Sequence, residues 1–109
     1  MNTLTLPEPI AAYFAAAQNN TEAFAHCFTT QAVVKDDGHT HTGVDAIKAW
    51  QDAASVQYNA TTTPFALERE DGFQVVRTHV AGNFPGSPVD LTYRFLMERC
   101  LIASLEITA

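Results

Sequence analysis

The sequence predicts one α+β domain, a curved antiparallel sheet wrapping around helices packed on one of its faces. Three observations point there. Apolar residues recur at helical spacing through the first half of the chain, the period switches to two in the second half, and Gly- or Pro-bearing turns separate the alternating runs. The 109 residues fit a single domain over 1–109, with one modest core.

Thr5, Pro7 and Glu8 make a capping signal ahead of Ile10, Tyr13, Phe14 and Ala17. Their i, i+3, i+4, i+7 spacing predicts an amphipathic helix ending near Gln18. Asn19-Asn20-Thr21-Glu22 offers a break and a new cap, so a shorter second helix is expected to carry Phe24, Cys27 and Phe28 on one face. From Gln31 the period is two: Ala32, Val34 and Asp36 share one strand face, and Gln31, Val33 and Lys35 the other. Asp37-Gly38 begins a loop through His39-Thr40-His41. Thr42 then caps a third helix that turns Val44, Ile47, Trp50 and Ala54 inward and ends near Ser55 or Val56.

Four strands are expected after it. The segment from Gln57 to Glu70 is rich in Thr and aromatic residues, with Pro64 marking a bulge, bend or edge, and Asp71-Gly72 is a hairpin turn. The strand from Phe73 to Gly82 returns to an interruption at Asn83–Pro88, where Pro85-Gly86 suits the centre of a type II turn. Val89, Leu91, Tyr93, Phe95 and Met97 then alternate with Asp90, Thr92 and Arg94. A last strand carries Leu101, Ala103, Leu105 and Ile107. Phe24, Phe28, Val34, Ile47, Trp50 and Leu91 are expected to be mostly buried.

Composition narrows the function classes. Apolar types make up 47% of residues and charged types 17%, which excludes a charge-rich disordered chain. Twelve acidic against six basic residues give a net charge of -6, and Lys35, Lys48, Arg69, Arg77, Arg94 and Arg99 form no basic stripe, so no nucleic-acid partner is expected. No apolar run is long enough to span a membrane and no signal-like leader is visible, so the expected location is cytoplasmic, with no membrane partner. Cys27 and Cys100 make neither a disulfide framework nor a CxxC pair. The glycines match no GxGxxG or P-loop pattern, GxSxG and HExxH are absent, and no cofactor is expected. His39 and His41 loosely resemble a metal-ligand spacing beside Asp37, but a tight site needs three or four convergent ligands. They are taken as polar loop residues or contacts at a pocket rim, with no metal.

Asp36 is the candidate for chemistry. At the end of the more apolar strand face a carboxylate has few water contacts, the environment that makes an Asp a usable general base; the alternative puts it at the wet end of the strand, starting a turn. Plain alternation puts His79 with Arg77 on the wetter face of its strand, whereas a bulge near Gly82 would turn His79 inward to meet Asp36 as an imidazole and carboxylate dyad. Tyr13, Trp50, Tyr58, Phe84 and Tyr93 either fill the core or line a cavity, and the hydroxyls of Tyr13 and Tyr93 need a partner that a ligand can supply.

These stretches resemble the SnoaL-like branch of the nuclear transport factor 2-like superfamily. The likeness rests on Tyr13–Ala17, Ala25–Phe28, Ala32–Gly38, Gly43–Ile47, Leu91–Phe95 and Ile102–Glu106, and covers about residues 7 to 107. It implies a cone-shaped fold, also called cystatin-like, with the sheet wrapped around the N-terminal helices, an apolar cavity between them and a homodimer formed through the sheet. Set beside the ketosteroid isomerase pattern, it implies Asp36 as the base and Tyr13 at or near the oxyanion-hole tyrosine, with Leu91 where a second acid would stand. Set beside the dehydratase pattern, it pairs Asp36 with His79. The expectation is a protein that binds a small apolar organic molecule in a pocket lined by Trp50, Tyr58, Phe84, Leu91 and Tyr93, with isomerase, cyclase or dehydratase chemistry based on Asp36. The alternative is a non-catalytic ligand-binding or protein-interaction module of the same fold.

Overall fold

The computed structural model describes residues 6–19, 24–36 and 38–108, without the side chains of residues 17–19, 55 and 58. Helix α1 spans Glu8–Asn19 and α2 spans Val44–Tyr58. Six strands are β1 (Phe28–Asp36), β2 (His39–Thr42), β3 (Thr61–Glu70), β4 (Phe73–Ala81), β5 (Val89–Glu98) and β6 (Leu101–Thr108). They form one curved, unclosed sheet in the order β2-β1-β6-β5-β4-β3. Neighbours are antiparallel except β1 and β6, which run parallel. No hairpin links those two strands, so nothing forces them to run in opposite directions.

Two expectations need correcting. The second helix falls partly outside the described residues. Phe24 and Ala25 are helical, but the chain then turns, with Cys27 N–H donating to the Phe24 carbonyl at 3.1 Å, and Phe28 already opens β1. Spacing of 24, 27 and 28 suits a tight turn running into a strand as well as it suits a helix. The second correction concerns His39–Thr42, which is a strand and not a loop: it pairs with β1 from Asp36 opposite His39 to Val33 opposite Thr42. Only two residues of sequence separate the strands. Gly38 has φ +75°, the conformation such hairpins require and one that side-chain-bearing residues resist. Thr42 thus belongs to β2, and the first bond of α2 runs from Ile47 N–H to the Gly43 carbonyl at 3.0 Å. The helix also absorbs Gln57 and Tyr58, so β3 begins only at Thr61.

The alternation read from the sequence appears in the burial. Ala32 and Val34 are buried on β1 while Gln31 and Lys35 are exposed. Ile10, Tyr13 and Phe14 from α1 and Ile47 from α2 close over the inner face of the sheet, where they meet Val34, Val76, Tyr93, Phe95, Ile102 and Leu105. Phe24, Phe28, Val34 and Ile47 are buried as expected, whereas Trp50 and Leu91 are only half-buried against the edge of this cluster. The irregularity at Pro64 is a register shift between Pro64 and Ala66 that leaves Phe65 51% exposed.

Candidate functional site

The register places Asp36 on the inner face. It lies opposite Ile107, Ile107 lies opposite Tyr93, and Tyr93 lies opposite Val76, so one row of inward side chains runs from β1 across to β4. Asp36 is half-buried at the end of that row. Trp50 reaches over from α2, and its indole Nε1–H donates to Asp36 Oδ2 at 3.2 Å. The indole is itself held between Phe24, at a centroid distance of 6.3 Å, and the His41 ring at 5.7 Å and 30°. One carboxylate oxygen is thereby fixed by a donor that carries no charge of its own.

Two phenols complete the arrangement. Tyr13 from α1 is 3% exposed and Tyr93 from β5 is 5% exposed, with their rings 6.2 Å apart. Phe14, Phe24, Phe28 and Phe95 surround Tyr13 at 5.0–6.0 Å. Burial pushes the Tyr13 phenol well above its ordinary range, with Tyr93 and the Asp36 charge adding to the effect. Burial also raises Tyr93, again with help from Asp36. Both phenols therefore keep their protons at neutral pH and can donate hydrogen bonds to an oxygen that gains negative charge, while the carboxylate beside them can accept a proton.

His79 does not join them. The β4–β5 register runs unbroken from Phe73 to Val80, with no bulge near Gly82 to reverse the face, so His79 stays outside with Arg77. There its Nδ1 lies 2.8 Å from Asp90 Oδ1, with both side chains more than half exposed. Leu91, on the inner face, is half-buried, as are Trp50 and Phe84, and all three pack against the core at the end of the sheet where Asp36 sits. The Tyr58 side chain lies outside those described. Among the described residues no group of three or more His, Cys, Asp and Glu is placed to hold a metal; His39 is exposed and the His41 ring packs at a tilt against Trp50.

Sequence reasoning missed two features. One is the bond from Trp50 to Asp36, which joins a helix residue to a strand residue 14 positions away. The other is Thr78, on the inner face of β4 and 0% exposed, whose Oγ1 has no hydrogen-bond partner among the described residues. Its signal was a single hydroxyl between Val76 and Val80 in an apolar alternation. A separate concavity of about 440 Å³ lies between the start of α1 and the β5–β6 turn, lined in part by Pro7, Glu8, His26, Arg99 and Cys100. It is at the opposite end of β1 from Asp36 and takes no part in this arrangement.

The fold and this inner-face cluster define a small α+β protein of the cystatin-like type. A candidate polyketide cyclase from Sinorhizobium meliloti is 40% identical, with 94% of this chain and 95% of that chain covered at a TM-score of 0.91. The chain belongs to the SnoaL-like branch of the nuclear transport factor 2-like superfamily. A hypothetical protein with a ketosteroid isomerase-like fold from Catenulispora acidiphila superimposes at a TM-score of 0.83 with 21% identity, covering 96% of this chain and 87% of its own. A nuclear transport factor 2-like protein of unknown function from Cytophaga hutchinsonii does so at 0.77 with 12% identity, covering 98% and 92%. These two share the fold. No family model matches the chain, and no curated protein sequence matches it.

Proposed function

We propose that the protein binds a small, mostly apolar organic molecule at the Asp36 end of its cone and that Asp36 removes a carbon-bound proton from it. The observation that carries this reading is the carboxylate bonded to Trp50 Nε1 at 3.2 Å on an otherwise apolar sheet face, with two buried phenols close enough to feel its charge. Removing a proton next to a carbonyl leaves an enolate, whose oxygen a protonated Tyr13 or Tyr93 stabilises by donating a hydrogen bond. Isomerisation, cyclisation and dehydration share that first step, and the likeness to a candidate polyketide cyclase supports carbonyl-bearing substrates. Trp50, Phe84, Leu91 and Tyr93 line the pocket in this reading.

A non-catalytic binding module is the second reading. His79 is bonded to Asp90 on the outer face, and apolar Leu91 stands where the resemblance places a second acid. The two readings separate on proton exchange. In D2O, the protein should speed loss of the α-protons of 2-tetralone, an enolisable bicyclic ketone, and D36N should abolish that acceleration while keeping the wild-type melting temperature. Equal rates for D36N and wild type would leave only the binding module.

The same proposal includes a homodimer through the outer sheet face. Arg77, Thr92 and Arg94 are on it, whereas Thr78 faces inward and is excluded from the contact. Exposed Leu96 and half-buried Phe73, with Arg94 lying 5.5 Å over its ring, give that face apolar area for a partner copy. Sedimentation at tens of micromolar should show twice the chain mass; a monomer would remove the dimer. The proposed setting is cytoplasmic, and no helix among the described residues is long and apolar enough to cross a membrane.

A further inference from the structure

We propose that Thr78 reads a second oxygen on the ligand, a hydroxyl or carbonyl at the end remote from the carbon on which Asp36 acts. The inference rests on the small-molecule reading above and adds to it the chemistry of the ligand's far end.

Thr78 is 0% exposed and its Oγ1 meets no partner among the described residues. Its inward neighbours along β4 are Val76 and Val80, and across the sheet it faces Pro64 on β3 and Leu91 on β5. None of these four side chains can donate or accept a hydrogen bond. Valine has the same shape and would fill the position without stranding a polar atom, so the hydroxyl carries a desolvation penalty that the strand's own alternation avoids at 76 and 80. A buried hydroxyl kept at that cost is accounted for if a ligand satisfies it.

The position fits such a ligand. Thr78 lies one inward residue beyond Val76, the end of the row that starts at Asp36, and on the side of the β4–β5 loop. Leu91, Val89 and Phe84 at this end are half-buried, so a ligand that displaces them reaches Thr78 without opening the central aromatic cluster. Three strand spacings separate β1 from β4, about 14 Å on a flat sheet, and the curl of this one brings the two faces closer. A molecule of two or more fused rings spans that gap. Its apolar body would take the place of Phe84, Val89 and Leu91 along the half-buried rim of the core, with an oxygen at each end.

The test compares 6-acetyl-2-naphthol with 2-acetylnaphthalene, two fused-ring ketones that differ by a hydroxyl at the end opposite the carbonyl. Binding is followed by Trp50 fluorescence and by NMR titration. Wild type should bind the hydroxyl-bearing probe about fivefold more tightly, the value of one added hydrogen bond. T78V should lose that preference and T78S, which keeps the hydroxyl, should retain it. An undiminished preference in T78V, no preference in wild type, or loss of the preference in both variants would each overturn the role of Thr78 alone. Failure of both probes to bind wild type would overturn the ligand site itself, and Thr78 with it.

Discussion

Asp36 and Asp90 are both strand carboxylates bonded to a ring nitrogen, on opposite faces of one sheet. Asp36 is half-buried beneath α2, meets the neutral Nε1–H of Trp50 and shares its face with a core of aromatic rings. Asp90 is in water with His79, its side chain 64% exposed. Both contacts are within hydrogen-bonding distance, at 3.2 and 2.8 Å. Their surroundings differ, and surroundings decide what a carboxylate can do: on the outer face water screens its charge and competes for its hydrogen bonds, whereas on the inner face two phenols, raised chiefly by burial, are raised further by the charge.

The sharpest break in this comparison comes from removing inner-face packing. Phe28 is 4% exposed, in contact with Tyr13 and Phe24, and F28A should lower unfolding stability by about 3–5 kcal/mol. A loss below about 1 kcal/mol in urea titration would show that the rings are not packed as described.

A smaller effect follows from the phenols. The folded chain holds the protons of Tyr13 and Tyr93 above their ordinary value of 10.0, so the unfolded chain ionises first. Their contribution to stability is complete below pH 10 and is lost as pH rises beyond it toward the folded values. The slope approaches about 1.4 kcal/mol per pH unit for each phenol. Urea titrations between pH 9 and pH 11, values chosen on the order of the tyrosine range, should show this fall, and Y93F should flatten it. An unchanged slope in Y93F would mean that the ring is not desolvated.

The smallest effect is on the outer face. H79A should change stability by less than about 1 kcal/mol, because both partners of the pair are mostly exposed. A larger loss by thermal or urea unfolding would show that the outer pair is structural and would erase the contrast with Asp36.

The inner face was legible because β1 alternates cleanly: Ala32, Val34 and Asp36 had to share a side, and Val34 had to be buried. The alternation of Val76, Thr78 and Val80 favoured an outward His79 but left the inward alternative open, and that alternative needed a bulge that the β4–β5 register lacks. Strand β2 was hidden because His-Thr-His-Thr carries no apolar pattern; it is held by ladder bonds to β1 and by the tilted contact of His41 with Trp50. The hold of Trp50 on Asp36 could not be read either. Helical spacing says which side chains face inward, but the atom that an indole N–H meets depends on how α2 crosses β1.

The central claim, that the inner carboxylate works and the outer one does not, is tested most directly by α-proton exchange of 2-tetralone in D2O, measured by NMR for D36N and D90N beside wild type. D36N should slow the catalysed exchange by about a hundredfold or more, the scale of a lost general base, while D90N stays within about twofold of wild type and both variants remain folded. Exchange in D36N at the wild-type rate would contradict the account.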